Sequence, residues 1–261
     1  MSRNSLNKAV MWGAGAMAIT VLALTGYALL DGDEGSDDGK REAKPSASAS
    51  AKPVPTYTAP DDWTEPERWV ALPRGERTDD SGNETGFPRT AEGAVAMLKA
   101  ANTTEVSPQR STVDERLGIY SSYIAKADRT DENAEKIELG AIQADKSVHR
   151  KMGVDPSDPL PPGSYLRSYV VGYQVIKDSD GEVSAWLLAR ATMKAGETKK
   201  ESSAYTRTLA AAVWENGDWK LSSAATIRAS EQVQGKSKPQ MAAPGDAEFN
   251  SAGWTAIREA S

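Results

Sequence analysis

Five polar side chains of this chain are of types that can do chemistry together: Tyr169, Tyr173 and Tyr205, with Arg190 and Arg207. All five fall in stretches with two-residue periodicity. Phenols donate and accept hydrogen bonds, and a guanidinium grips an anion through parallel N–H groups. Lining one cavity, they would make a ligand chamber with an anion-binding wall. Proton transfer asks for more, a base held beside the substrate with a pKa suited to the task. No Asp or Glu lies inside the strands that carry these residues; the acids gather at strand ends. No catalytic residue is therefore assigned. The one histidine, His149 in "KSVHRKMG", is flanked by Arg150 and Lys151, which repel a cation. It reads as an exposed helix residue. Cysteine is absent, which removes disulfides, thiolate metal sites, a thiol nucleophile and a lipid-acceptor thiol together. No metal site and no cofactor are expected, and no G-x-S-x-G, H-E-x-x-H or P-loop pattern occurs.

The elements that must position the five residues are legible from period and punctuation. A helix begins after the capping residue Thr90, with Ala94, Met97, Leu98 and Ala101 on one face. A second is expected from Ser107-Pro108, a capping residue before a first-turn proline, with Val113, Leu117, Tyr120 and Ile124 as its stripe. A third runs from about Asp131 to Met152 and stops at Gly153. After Gly163 the period switches from 3.6 to 2. Strands are expected over residues 164–177, 182–195, 203–215 and 218–227, the last two joined by Asn216-Gly217, the preferred two-residue hairpin turn. On the second strand Val183, Ala185, Leu187 and Ala189 alternate with Ser184, Trp186, Leu188 and Arg190. Both faces carry apolar residues, so one face should be covered and the other partly covered. Short connections make an antiparallel meander. The fold class is α+β, with helices packed on a curved four-stranded antiparallel meander.

The rest of the chain says where such a domain works. Residues 9–30, "AVMWGAGAMAITVLALTGYALL", are 22 residues without a charge. As a helix they reach about 33 Å, enough for a hydrocarbon core of about 30 Å. Arg3 and Lys8 precede this run, and Asp31, Asp33, Glu34, Asp37 and Asp38 follow it. That asymmetry puts residues 1–8 in the cytoplasm and the C-terminal domain outside the cytoplasmic membrane. A cleaved secretory signal is the competing reading; the apolar run is longer than the usual ~7–15-residue signal core. "GAGAMA" within it has the spacing of a nucleotide loop but no strand before it, and is discarded. Residues 31–58 are acidic, then rich in Ala, Ser, Lys and Pro, with almost no large apolar residue. Such a segment reads as a disordered stalk. Residues 59–261 form the extracytoplasmic domain, with a core over about 87–227 and a C-terminal tail over 228–261 that docks back through Phe249, Trp254 and Ile257.

Net charge is −6. An acidic exterior repels nucleic acid, so no nucleic-acid partner is expected. The expected partners are the membrane, through residues 9–30, and other membrane or cell-surface proteins, with self-association also compatible. Trp63 and Trp69 lie among prolines before the first helix, and Trp254 lies in the tail. As exposed aromatics these three would mark a partner surface.

The closing hairpin carries a resemblance. Val213, Trp214, Asn216, Gly217, Trp219, Lys220 and Leu221, in "VWENGDWKLS", follow a helix group and a long connector. The pattern resembles the cone-shaped fold of nuclear transport factor two and ketosteroid isomerase, over about residues 87–227. Together with the anchor and stalk, the layout is similar to bitopic assembly components of type IV secretion and conjugation machines, to Mce-associated membrane proteins and to anchored actinobacterial proteins. The resemblance implies a non-catalytic scaffold at the cell surface. Its alternative is a small-ligand or enzymatic cone, in which Tyr169, Tyr173, Arg190, Tyr205 and Arg207 line the cavity. The Trp63/Trp69 segment and the long tail depart from the conjugation pattern.

Overall fold

The computed structural model describes residues 62–109 and 111–258. The expected cytoplasmic tail, membrane run and stalk lie outside the described residues. Within them, the chain is an α+β protein built on a seven-stranded mixed sheet. Strand β1 is Trp69–Ala71, β2 Arg77–Thr78 and β3 Glu84–Thr85; helix α1 is Ala91–Ala101, strand β4 Thr104–Val106, helix α2 Thr112–Tyr123 and helix α3 Asp131–Met152. Then come β5 Ser164–Ser179, β6 Glu182–Ala195, β7 Ser202–Glu215, β8 Asp218–Leu221, α4 Ser223–Gln232, α5 Ala247–Ser251 and β9 Thr255–Arg258.

Strands β5 to β8 form the expected antiparallel meander. Asn216 and Gly217 both take positive φ, 54° and 81°, and so turn β7 into β8. Register shifts between Val170 and Gly172 and between Val175 and Lys177 mark bulges in β5, which bend the strand and increase its twist. The sheet is larger than the four strands expected. β4 adds to β5 near its start, and β9 pairs antiparallel with Gly172 and Tyr173. β1 then pairs parallel with β9, which makes the sheet mixed. The first and last segments of the domain thus lie side by side, and the tail becomes a strand as well as a docked segment.

Two faces follow from the strand alternation. Val170, Tyr173, Val183, Ala185, Leu187, Ala189, Ala210 and Ala212 point inward, under α1. The alanines there and on α1 let helix and sheet approach closely. The outer face carries Trp186 and Leu188, covered by Ala242, Phe249, Trp254 and Ala256 of the tail. Farther along, α4 packs Ala225 and Ala229 on Ala211. Beyond these two covers the outer face is left to polar side chains.

Two boundaries differ from expectation. Helix α2 starts at Thr112, because the Ser111 side chain accepts from Asp114 N while the Ser107 hydroxyl accepts from Gln109 N within a short turn. The fourth strand stops at Leu221. Ser222 accepts from Ala225 N, and the Thr226 hydroxyl donates to Ser222 O, so the chain turns into helix α4 and leaves Ile227 exposed. Local side-chain capping outweighed the alternating pattern there.

The end of α3 is as expected. Gly153 takes φ 75° and its N–H donates to Arg150 O. A Cβ at Gly153 would meet nothing within 4 Å, so any cost of a side chain there is purely conformational. Gly153→Ala is expected to destabilise the domain by about 1–2 kcal/mol, the penalty for an L-residue in the left-handed region. Urea unfolding of the two proteins side by side measures it, and an unchanged midpoint contradicts it.

Candidate functional site

The register of β5, β6 and β7 aligns Tyr169 with Arg190 and Arg190 with Tyr205. The three side chains form one row across the outer face. The next row holds Arg167, Thr192 and Ser203, and the one beyond it Tyr165 and Lys194. This polar platform lies toward the open end of the β5–β6–β7 sheet, beside the tail cluster that Tyr205 packs against and opposite the face covered by α3. Tyr165, Arg167, Lys194 and Glu201 were not singled out from the sequence, although Tyr165, Arg167 and Lys194 share strand parity with the residues that were. That parity was the available signal.

The five expected cavity residues therefore divide. Tyr173 lies on the inner face, 7% exposed and packed in the core under α1. Its burial raises the phenol pKa, and Glu92 adds to the shift. Tyr169, Arg190, Tyr205 and Arg207 are on the outer face and do not enclose a chamber. Arg207 sits under the strap of residues 233–246. It donates a short hydrogen bond from Nη1 to Pro239 O and lies 5.7 Å from the Trp186 ring centroid. Burial lowers its pKa, and its Nε is buried without a hydrogen-bond partner. Arg207 thus fastens the strap. Arg190 is exposed, with its guanidinium 4.0 Å from Glu201. Glu201 also accepts a short hydrogen bond from the Tyr165 hydroxyl, which raises the Tyr165 pKa. Arg167 pairs with Glu105 at 2.9 Å and stacks 4.3 Å from the Tyr165 ring centroid. Tyr205 is half-buried; desolvation raises its pKa, Arg190 opposes this, and Asp246 adds to it.

The three tryptophans expected at a partner surface are occupied within the domain. Trp254 is 1% exposed, and its indole N–H donates to Gln240 O at 2.7 Å. It is a core residue and not an exposed aromatic, because the tail closes over it. The half-buried Trp63 and Trp69 both donate to Glu65, at 3.0 and 2.7 Å. Those hydrogen bonds hold the Glu65 carboxyl below its ordinary pKa. Arg258 lies 4.9 Å from the Trp69 ring centroid. His149 also departs from expectation. It is 7% exposed, with Nδ1 2.8 Å from Asp145 O and Nε2 3.1 Å from Asp158 O, so it ties the connector after α3 back to the helix.

A concavity lies elsewhere, between residues 72–87, α1 and α2. It is a cleft of about 440 Å³ that brings Arg74, Lys99 and Arg258 together with Glu84, Glu105 and Glu115. Tyr123 forms part of its wall. Its hydroxyl donates to Glu84 O, and burial, together with Asp79, Glu84 and Asp218, pushes its pKa up. None of the five residues singled out from the sequence lines this cleft. Among the described residues, no group of three or more His, Asp or Glu is arranged to hold a metal ion.

The outer platform can therefore hold an extended, hydrogen-bonding, anionic surface through Arg190, Lys194 and its phenols. Comparison with protein-family models, with curated proteins and with solved structures finds no match.

Proposed function

We propose that this chain is a single-pass membrane protein whose cone-like α+β domain stands outside the cytoplasmic membrane and serves as a scaffold in a surface assembly of the conjugation or type IV secretion kind. The observation that carries this reading is the outer row of Tyr169, Arg190 and Tyr205. It is a polar, aromatic strip at the margin of the tail's cover, with Arg190 exposed at its centre and Tyr205 packed beside the tail's apolar cluster. The inner face, where the cone enzymes keep their substrate chamber, is filled here by Tyr173, Leu187, Ala189, Met97 and Leu98. The uncharged run of residues 9–30 and the charges on either side of it support the orientation.

The test is affinity capture from membranes with the full chain, beside the Arg190→Glu chain. A stoichiometric membrane protein retained by the first and reduced about tenfold with the second supports the reading; reversing one well-placed interface charge has an effect of that size. No membrane partner, with a small molecule co-purifying, overturns it. That outcome belongs to the second reading, a small-ligand-binding or enzymatic domain, which the cleft of about 440 Å³ favours.

A further inference from the structure

Among the described residues, two stretches of the long strands lack a neighbour on one side: residues 174–179 of β5 and residues 203–209 of β7. β7 pairs with β6 over residues 202–213, but β8 covers only residues 212–215 of its other side. Backbone groups of successive residues in an antiparallel strand point to opposite neighbours. The tight turn pairs Glu215 with Asp218, so the odd-numbered residues of β7 face β8. Ser222 N donates to Ala211 O on that same side. Before Ala211, the N–H and C=O groups of Leu209, Arg207, Tyr205 and Ser203 therefore point away from the sheet. No described residue hydrogen-bonds to any of these backbone groups. Arg207 binds the strap through its side chain alone.

The two open stretches are not alike. The end of β5 carries a register shift between Val175 and Lys177 and two charges, Lys177 and Asp178, devices that keep an edge from pairing. The β7 stretch, "SAYTRTL", has no proline, no glycine and no acid, one cation, and a register with β6 that never shifts. Its threonines and tyrosine favour extended backbone. The strands β1 and β4 have three residues each. Residues 203–209 are thus the one long, regular edge on which another strand can build.

A second copy of the chain presents the same edge, and the two are self-complementary. An antiparallel pairing with its two-fold axis at Thr206 sets Tyr205 opposite the partner's Arg207 and Ser203 opposite the partner's Leu209. All four outward residues of each chain are then used, and four pairs with two hydrogen bonds each give eight. Other centres fare worse. An axis at Arg207 puts two guanidiniums directly opposite, which like charges disfavour. An axis at Tyr205 leaves Leu209 facing Glu201, before the strand begins. Axes beyond Arg207 run into Ala211, whose N–H and C=O already bond to Thr226 and Ser222. Pairing consumes the long edge of both copies, so association closes at two chains and does not propagate.

We propose that two copies of this chain join edge to edge through residues 203–209 of β7, antiparallel about Thr206, into one continuous sheet. The outer row Tyr169, Arg190 and Tyr205 then runs on to the partner's Arg207. Seven residues a side make a small interface of the transient kind. The pairing is a property of the chain alone and stands apart from the scaffold reading.

The absence of cysteine makes the register testable by oxidative crosslinking of the purified full chain in detergent. Thr206→Cys meets its own copy across a non-hydrogen-bonded pair, with Cα atoms about 4.5 Å apart, inside the disulfide range of about 4.4–6.8 Å. It should crosslink alone. Ala204→Cys lies opposite the partner's Thr208 and four residues, about 13 Å, from its own copy. Ala204→Cys alone and Thr208→Cys alone should give no dimer, and a mixture of the two should. Any other pattern overturns the proposal, whether no crosslink in any arm, equal crosslinks in all, or a self-crosslink at 204 or 208. The unaltered chain supplies a second readout that no substitution can spoil. Amide exchange at Ser203, Tyr205, Arg207 and Leu209 should slow as protein concentration rises, about tenfold once nine-tenths of the chain is paired. Ala204, Thr206 and Thr208 already bond to β6 and should not respond. Exchange at the four outward amides that is independent of concentration overturns the proposal. Protection that appears only when a membrane extract is added gives the edge to another protein, and overturns it too. Both readouts use the purified chain, so they succeed or fail separately from the membrane capture.

Discussion

Trp254→Ala is expected to destabilise the domain by about 3–5 kcal/mol, the range for truncating a large aromatic in a packed core. Trp254 is 1% exposed and touches the outer-face cluster built from Trp186, Leu188, Ala242, Phe249 and Ala256. It is also the contact that closes the strap, because its indole N–H donates to Gln240 O. Truncation therefore leaves a cavity and a carbonyl without its donor. The loss should be transmitted along the tail. Phe249, fully buried beside it, lies so close to β5 that a Cβ at Gly172 would come within 3.2 Å of its ring. β9 follows Trp254 directly and is, among the described residues, the one strand that pairs with β1. The expected result is a lower urea midpoint, together with faster amide exchange at Thr255–Arg258 and Trp69–Ala71 than at β6 and β7. A variant whose midpoint falls by less than the equivalent of about 1 kcal/mol would mean that the tail is an accessory to the core and not part of it.

That coupling between the ends is also where the sequence was least informative. Long, strongly patterned elements were legible: α1 with its Thr90 cap, α3 from Asp131 to Gly153, and β6 residue for residue. β1 and β9 were not, because three or four residues carry too little alternation to be seen, and their pairing depends on a partner almost two hundred residues away. The candidate site was half legible. Strand membership of Tyr169, Tyr173, Arg190, Tyr205 and Arg207 could be read, but the face of each could not be fixed without the register and the β5 bulge between Val170 and Gly172. Simple alternation gives Tyr169 and Tyr173 the same side; the bulge adds a residue between them and puts them on opposite sides. His149 was misjudged for a related reason. Its place on the helix was visible, but the connector that folds back to meet it was not.

Asp218→Ala should destabilise the domain by about 3–5 kcal/mol, although the site looks from the sequence like the exposed end of a turn. Asp218 is 5% exposed. One carboxylate oxygen accepts from Phe87 N at 3.0 Å and from Trp219 N at 2.9 Å, and the other accepts from Lys220 Nζ at 3.1 Å. The Lys220 ammonium donates also to Ser122 O at 2.8 Å, so the pair ties β8 to the end of α2 and to the segment that leads into α1. Removing the carboxylate leaves two buried N–H groups without acceptors, each worth about 1–3 kcal/mol, and a largely buried cation without its counterion. The mechanism predicts how the loss divides. Asp218→Asn keeps an acceptor for the backbone but not the charge, and should fall between the native protein and Asp218→Ala. Lys220→Met alone leaves the carboxylate with its two backbone donors and should cost less than Asp218→Ala. The double variant Asp218→Ala/Lys220→Met should be more stable than the sum of the two single losses requires, by about 1–2 kcal/mol, because it removes the orphaned charge. Urea unfolding of the four proteins measures this cycle. Strict additivity would mean that Lys220 reaches solvent once Asp218 is gone, and that the two backbone hydrogen bonds alone account for the cost.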